Sequence, residues 1–114
     1  MALIYKIIDS QSWIEAMKSG IFKGATVDLR DGYIHLSAAE QVAETARLYF
    51  AGQDNLLLVA FEAETFGPAL KWEASRGGTL FPHVYGAIDP KIALWAKPLQ
   101  WNGTAHVFPG GWTS

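Results

Sequence analysis

Leu56-Leu57-Leu58-Val59-Ala60-Phe61 is the most hydrophobic run of the chain. Turn residues bound it and it is too short for a buried helix, so it reads as a central strand. Two strand-to-helix patterns lie upstream. Leu3 to Ile8 is apolar and β-branched around Tyr5 and Lys6, which suits a strand covered on both faces. Asp9 or Ser10 caps a helix over roughly Gln11 to Ser19, with Trp13, Ile14 and Met17 on one face and Gly20 as the left-handed residue that ends it. Gly24 to Gly32 reads as an irregular connection. Tyr33 to Leu36 is a short strand, and Ser37 with Glu40 three residues on makes a capping box that opens a helix running to about Phe50. Val42, Ala46, Tyr49 and Phe50 form the buried stripe of that helix, while Glu40, Glu44 and Arg47 face water with Glu44 paired to Arg47.

Downstream of the central run the pattern turns to strands and loops. Gly67-Pro68 marks a turn, Leu70 to Glu73 a short strand, and Ser75-Arg76-Gly77-Gly78 a loop, because paired glycines defeat regular structure. Phe81 to Tyr85 reads as an edge or broken segment. Asp89-Pro90 starts a turn or helix, Ile92 to Trp101 is a long strand interrupted by Pro98, and Asn102-Gly103 turns the chain into a last strand near Ala105 to Phe108. The order β-α-β-α followed by several strands implies an α+β fold, two helices of the N-terminal half packed on a largely antiparallel sheet system.

The chain has 114 residues, half of them hydrophobic and 18% charged, enough for one core and too few for two, so residues 1–114 are expected to form a single domain. It has no cysteine, which excludes disulfides, thiolate zinc sites and thiol nucleophiles and favours the cytoplasm. The net charge of −2 offers no field for gathering phosphates, so general nucleic-acid binding is not expected. The first residues lack a basic segment and a long apolar run, so neither a signal peptide nor a membrane span is expected.

Chemistry concentrates in three segments. In Asp31-Gly-Tyr-Ile-His35-Leu-Ser37, His35 ends a strand just before a helix N-terminus, where unpaired N–H groups attract anions; the alternative is that Ser37 merely caps and His35 bonds within the sheet. In Phe81-Pro-His83-Val-Tyr85-Gly86 an imidazole stands between aromatic rings, as in a groove that stacks a planar heterocycle, or else Phe81 and Tyr85 simply plug a core turn. In Trp72-Glu73-Ala-Ser-Arg76-Gly77-Gly78, Glu73 can orient an imidazole or bond ribose hydroxyls and Arg76 can reach a phosphate, unless the two form a surface ion pair. His35, His83 and His106 lack metal-ligand spacing, and His106 is expected to face solvent. No nucleophile elbow, phosphate loop or dinucleotide fingerprint occurs.

Across nearly all of its length the chain resembles the bacterial domain-of-unknown-function family numbered 952, through Ile4-Tyr5-Lys6, Asp31 to Ser37, Glu40-Gln41, Trp72-Glu73 and Phe81 to Gly86. The resemblance implies an ADP-ribosyltransferase-type fold, with two roughly perpendicular sheets around a cleft. The first half is also similar in layout to the RNA 2′-phosphotransferases of that superfamily. Ile34-His35-Leu36-Ser37 matches one of their strands, whereas Tyr5-Lys6-Ile7 stands where they carry the histidine and glycine that hold NAD. Glu73 is a candidate for their catalytic glutamate by chemistry alone.

Together these readings give a cleft for a nucleotide-like or phosphorylated small molecule, with NAD or ADP-ribose as possible cofactors. His35, His83 and Glu73 are the candidate catalytic groups and Lys6, Ser37, Arg76 and Tyr85 the candidate binding groups. The competing reading is a non-enzymatic module that has lost its NAD site and works in protein interaction, with tryptophans such as Trp112 as exposed anchors.

Overall fold

The computed structural model describes residues 2–113. In chain order its elements are β1 (Leu3–Asp9), α1 (Ser10–Ser19), α2 (Thr26–Asp31), β2 (Ile34–His35), β3 (Ser37–Ala38) and α3 (Ala39–Tyr49), then β4 (Leu56–Glu62), β5 (Leu70–Ala74), β6 (Leu80–Val84), β7 (Trp95–Trp101) and β8 (His106–Val107). The strands form a five-stranded sheet in the order β3-β1-β4-β7-β8 and a three-stranded sheet in the order β2-β6-β5. Every pairing is antiparallel. The architecture is mixed α+β.

The central run is hydrophobic throughout because both faces of β4 are covered. Val59 and Phe61 point into a cluster with Ile4, Ile8, Trp13 of α1, and Ile34 and Val84 of the smaller sheet. Leu58 and Ala60 point the other way, toward Tyr5, Ile7, Leu99, and Val42 and Ala46 of α3. Each such side chain taken fully out of water contributes roughly 1.5–3 kcal/mol.

The strand expected over Tyr33 to Leu36 is shorter, Ile34–His35, and a second short strand, Ser37–Ala38, follows it in the other sheet. Ile34 and His35 pair with β6, whereas Ser37 and Ala38 pair with β1. The chain passes from one sheet to the other at Leu36, whose N–H still bonds the carbonyl of Pro82 at 3.0 Å. This crossing joins the sheets and sets the site between them.

Other expectations change for local reasons. The connection from Gly24 to Gly32 contains a third helix, α2, ended by Gly32 at φ 87. On α1 the buried pair is Trp13 and Ala16, while Ile14 and Met17 are exposed. Ser37 does not cap α3: Ala38 is the N-cap, and its N–H donates to Gln41 Oε1 at 2.9 Å. Tyr49 turns outward. The segment read as an edge, Phe81 to Tyr85, supplies β6, the middle strand of its sheet. Pro98 does not interrupt β7, because β8 pairs only with Gln100 and Trp101 and leaves Pro98 facing an uncovered edge. His106 is half-buried, its Nε2 3.0 Å from the carbonyl of Gln53.

Trp112 is not an exposed anchor. It meets Tyr5 edge to face with ring centroids 5.2 Å apart, and its carbonyl accepts the Tyr5 hydroxyl at 3.0 Å. Trp112→Ala should therefore cost about 2 kcal/mol, a fall in melting temperature on the order of 10 °C. A calorimetric scan showing an unchanged midpoint would contradict this placement of the C-terminal segment.

Candidate functional site

The crossing at Leu36 opens a cavity of about 500 Å³ between the sheets and α3. Lys6, His35, Ser37, Arg76 and His83 all line it, with Tyr49, Phe50 and Phe81 as an aromatic wall. Five of the seven candidate residues are thus brought together. Glu73 and Tyr85 are not among the lining residues: Glu73 bonds the lining His83, and Tyr85 bonds Glu73 and packs on Tyr33.

Asp28, which the sequence reading passed over, organises one end. It is 2% exposed and binds four groups. Lys6 Nζ lies 3.0 Å from Oδ2 and 3.1 Å from Oδ1. The His35 ring Nδ1 stands 2.7 Å from Oδ1, and the His35 backbone N–H donates to the same oxygen at 3.1 Å. The Ala25 N–H donates to Oδ2 at 2.7 Å. Burial pushes the Asp28 carboxyl up, but the Lys6 charge and the bonds from His35 and Ala25 outweigh it and hold the group below its ordinary value. Burial likewise pulls the Lys6 ammonium down, against the opposing pull of Asp28.

The charge of Lys6 is therefore neutralised within the protein, which corrects its expected role as a phosphate counter-ion. His35 is also engaged on both sides, since its Nε2 lies 3.0 Å from Asp31 Oδ2. Gly24 is needed where the chain crosses this cluster. Its φ is +118, and a Cβ there would stand 2.7 Å from the Cβ of Asp28.

The other end carries a different dyad. His83 is 2% exposed, and its Nδ1 is 2.8 Å from Glu73 Oε1, which also accepts the Tyr85 hydroxyl at 2.8 Å. Those two bonds, from His83 first and Tyr85 second, hold the Glu73 carboxyl below its usual range, and the bond to Glu73 raises the Tyr85 phenol. An ionised carboxylate has no hydrogen to give, so Nδ1 is the donor. Nε2 has no protein partner among the described residues, and the cavity is the space His83 lines. Tyr33 stacks on this ring at 4.2 Å and on His35 at 4.6 Å.

Arg76 forms no pair with Glu73. Its guanidinium lies over Phe81 at 4.7 Å and Tyr49 at 5.8 Å, and its polar contact is a long 3.4 Å bond to Thr45 Oγ1. Thr45 in turn stands 3.1 Å from Ser37 Oγ. Thr45 and Tyr49 were missed as site residues because their helix was read for its buried stripe, whereas one turn separates them on the face toward the cavity.

Antiparallel sheets joined at a crossing, with a cavity at the joint that a few polar side chains share with an aromatic wall, define a small mixed α+β protein. The chain belongs to the family described as "Protein of unknown function (DUF952)", whose model matches residues 7–96. It is 48% identical to protein CC0527 from Caulobacter crescentus, the X-ray crystal structure of which superposes with a TM-score of 0.88 over 91% of this chain and 91% of that one. The solution NMR structure of CC0527 gives a TM-score of 0.84, covering 93% of this chain and 91% of that one at 48% identity. No curated protein matches the chain. Among the described residues no helix is long and apolar enough to cross a membrane.

Asp28→Asn should destabilise the protein by about 3 kcal/mol or more, because it leaves the Lys6 ammonium enclosed without a counter-charge. Lys6→Met added to it should recover part of that loss, as measured by urea unfolding. The pH dependence has a definite sign. The folded-state carboxyl is depressed, so the Asp28 contribution is complete above the ordinary aspartate value of about 3.9 and is lost as pH falls through the lower folded-state value. Asp28→Asn should flatten that acid limb, and an unchanged limb would contradict the assignment.

Proposed function

We propose that the cavity binds a nucleotide-like or phosphorylated small molecule through Arg76 and supports group transfer by the His83–Glu73 dyad. The observation that carries this reading is the Arg76 guanidinium, which lines the cavity without a carboxylate partner among the described residues. Laid on an aromatic face, a guanidinium keeps its fork of donors free for paired oxygens of a phosphate. The hydroxyls of Ser37, Thr45 and Ser75 line the same space, and the aromatic wall suits a planar base.

In this reading Glu73 fixes the His83 ring through Nδ1, and Nε2 takes a proton from an attacking hydroxyl or returns one to a leaving group. The two antiparallel sheets are then those of an ADP-ribosylation-type fold, distantly akin to the RNA 2′-phosphotransferases, in a cytoplasmic protein. ADP-ribose and NAD are the first ligands to try. The ribose-holding position at Lys6 is altered, so binding rests on Arg76 and the aromatic wall instead.

A ligand at a hundredfold its dissociation constant adds about 2.7 kcal/mol, on the order of 10 °C in melting temperature for a domain of this size. ADP-ribose should produce such a rise, and Arg76→Ala should weaken its binding about tenfold or more. The unliganded stability of that variant should fall by no more than about 1 kcal/mol, the contribution of the guanidinium over the Phe81 ring. If ADP-ribose, NAD and simple nucleoside monophosphates all leave the wild-type melting temperature unmoved, the proposal is wrong.

A further inference from the structure

The Asp31 carboxylate sits between the Arg30 guanidinium and the His35 ring at the α2 end of the cavity. Arg30 Nε lies 2.9 Å from its Oδ1 and Arg30 Nη2 3.4 Å from its Oδ2, while His35 Nε2 lies 3.0 Å from Oδ2. Arg30, Asp31 and His35 all line the cavity. An arginine fork and an imidazole nitrogen converging on one pair of oxygens are the donor set that holds a phosphate or carboxylate of a ligand. We infer that Asp31 fills a second anion subsite in the free protein, and that an anionic group of the ligand displaces it from Arg30 and His35. The inference rests on the reading of the cavity as a site for phosphorylated molecules and narrows it: the ligand carries two anionic groups, one for Arg76 and one for this subsite.

Asp31 is built to leave, and the His35 ring is built to stay. Its side chain is 28% exposed, and it is the last residue of α2, followed by Gly32 in the left-handed region. Its bond to Arg30 joins sequence neighbours at the surface, where solvent screens the attraction. The His35 ring, by contrast, is anchored from behind by Asp28, which is enclosed and accepts both the ring Nδ1 and the backbone N–H. When Asp31 swings out, the ring stays in place with Nε2 beside the vacated position. A tethered group competes at an effective concentration in the millimolar range, so a lone phosphate enters this subsite weakly while Asp31 remains.

The test is a titration with orthophosphate, read by the nitrogen–proton correlations of the His35 imidazole and by the dissociation constant. Wild type would be compared with Asp31→Asn, Asp31→Ala and the double variant Arg30→Ala/Asp31→Ala. Both single variants should bind orthophosphate about tenfold more tightly, a change of about 1.4 kcal/mol, with the His35 Nε2 signal moving as phosphate is added. The double variant should lose the gain. Unchanged or weaker affinity in folded Asp31→Asn overturns the proposal, as does a gain that survives removal of Arg30. Combining Asp31→Asn with Arg76→Ala separates the two readings. A gain that persists there belongs to the α2 subsite even if Arg76 binds nothing, whereas Arg76-dependent affinity with no gain from Asp31→Asn sinks this proposal alone.

Discussion

The enclosed carboxylate of Asp28 is the constraint on which the arrangement of the site depends. It joins β1 through Lys6, β2 through the His35 ring and backbone, and the start of α2 through the Ala25 N–H. A distant strand and the two segments flanking Asp28 thus share one pair of oxygens. A charge buried to this degree is tolerated only when each lone pair is used, so the geometry of all three segments is coupled. Gly24 belongs to the same constraint, since the chain can pass over the Asp28 side chain only where no Cβ intrudes.

That coupling also divides the labour of the two imidazoles. His35 has a carboxylate beside each ring nitrogen, an inner one that is enclosed and an outer one that is partly exposed. His83 has a carboxylate on one nitrogen alone. A ring held from one side is oriented with a nitrogen to spare, the condition for proton transfer; a ring held from both sides serves geometry until one partner departs. The two rings nevertheless touch, edge to face with centroids 5.3 Å apart, and Tyr33 packs against both.

The mixed architecture was legible because strands and helices with buried stripes obey simple periods. Leu56 to Phe61, Leu3 to Ile8 and Val42 with Ala46 announced themselves by hydrophobicity. What escaped was helix initiation without the expected residue. Both α2 and α3 begin at an alanine, Ala25 and Ala38, which has no side-chain oxygen to cap with. Each instead receives a return bond from the third residue of its helix, Asp28 at 2.7 Å and Gln41 at 2.9 Å. Half of a capping box is enough when tertiary contacts supply the rest. Ser37 stands one residue too early to cap α3, and at the start of α2 an alanine holds the capping position, so neither helix start carries the usual hydroxyl signal.

The same two residues explain why the site could be read only in part. Asp28 and Gln41 spend their remaining atoms on strands, Asp28 on His35 and Gln41 Nε2 on the carbonyl of Leu80 at 2.7 Å, so each fastens a helix start to the smaller sheet. A residue that caps locally and docks at long range has no distinguishing spacing in a sequence, because its second partner is known only after folding. His35, His83 and Arg76 stood out by chemistry in unusual surroundings. Asp28 stood in an unremarkable stretch, and its importance arises from the enclosure that the other segments build around it.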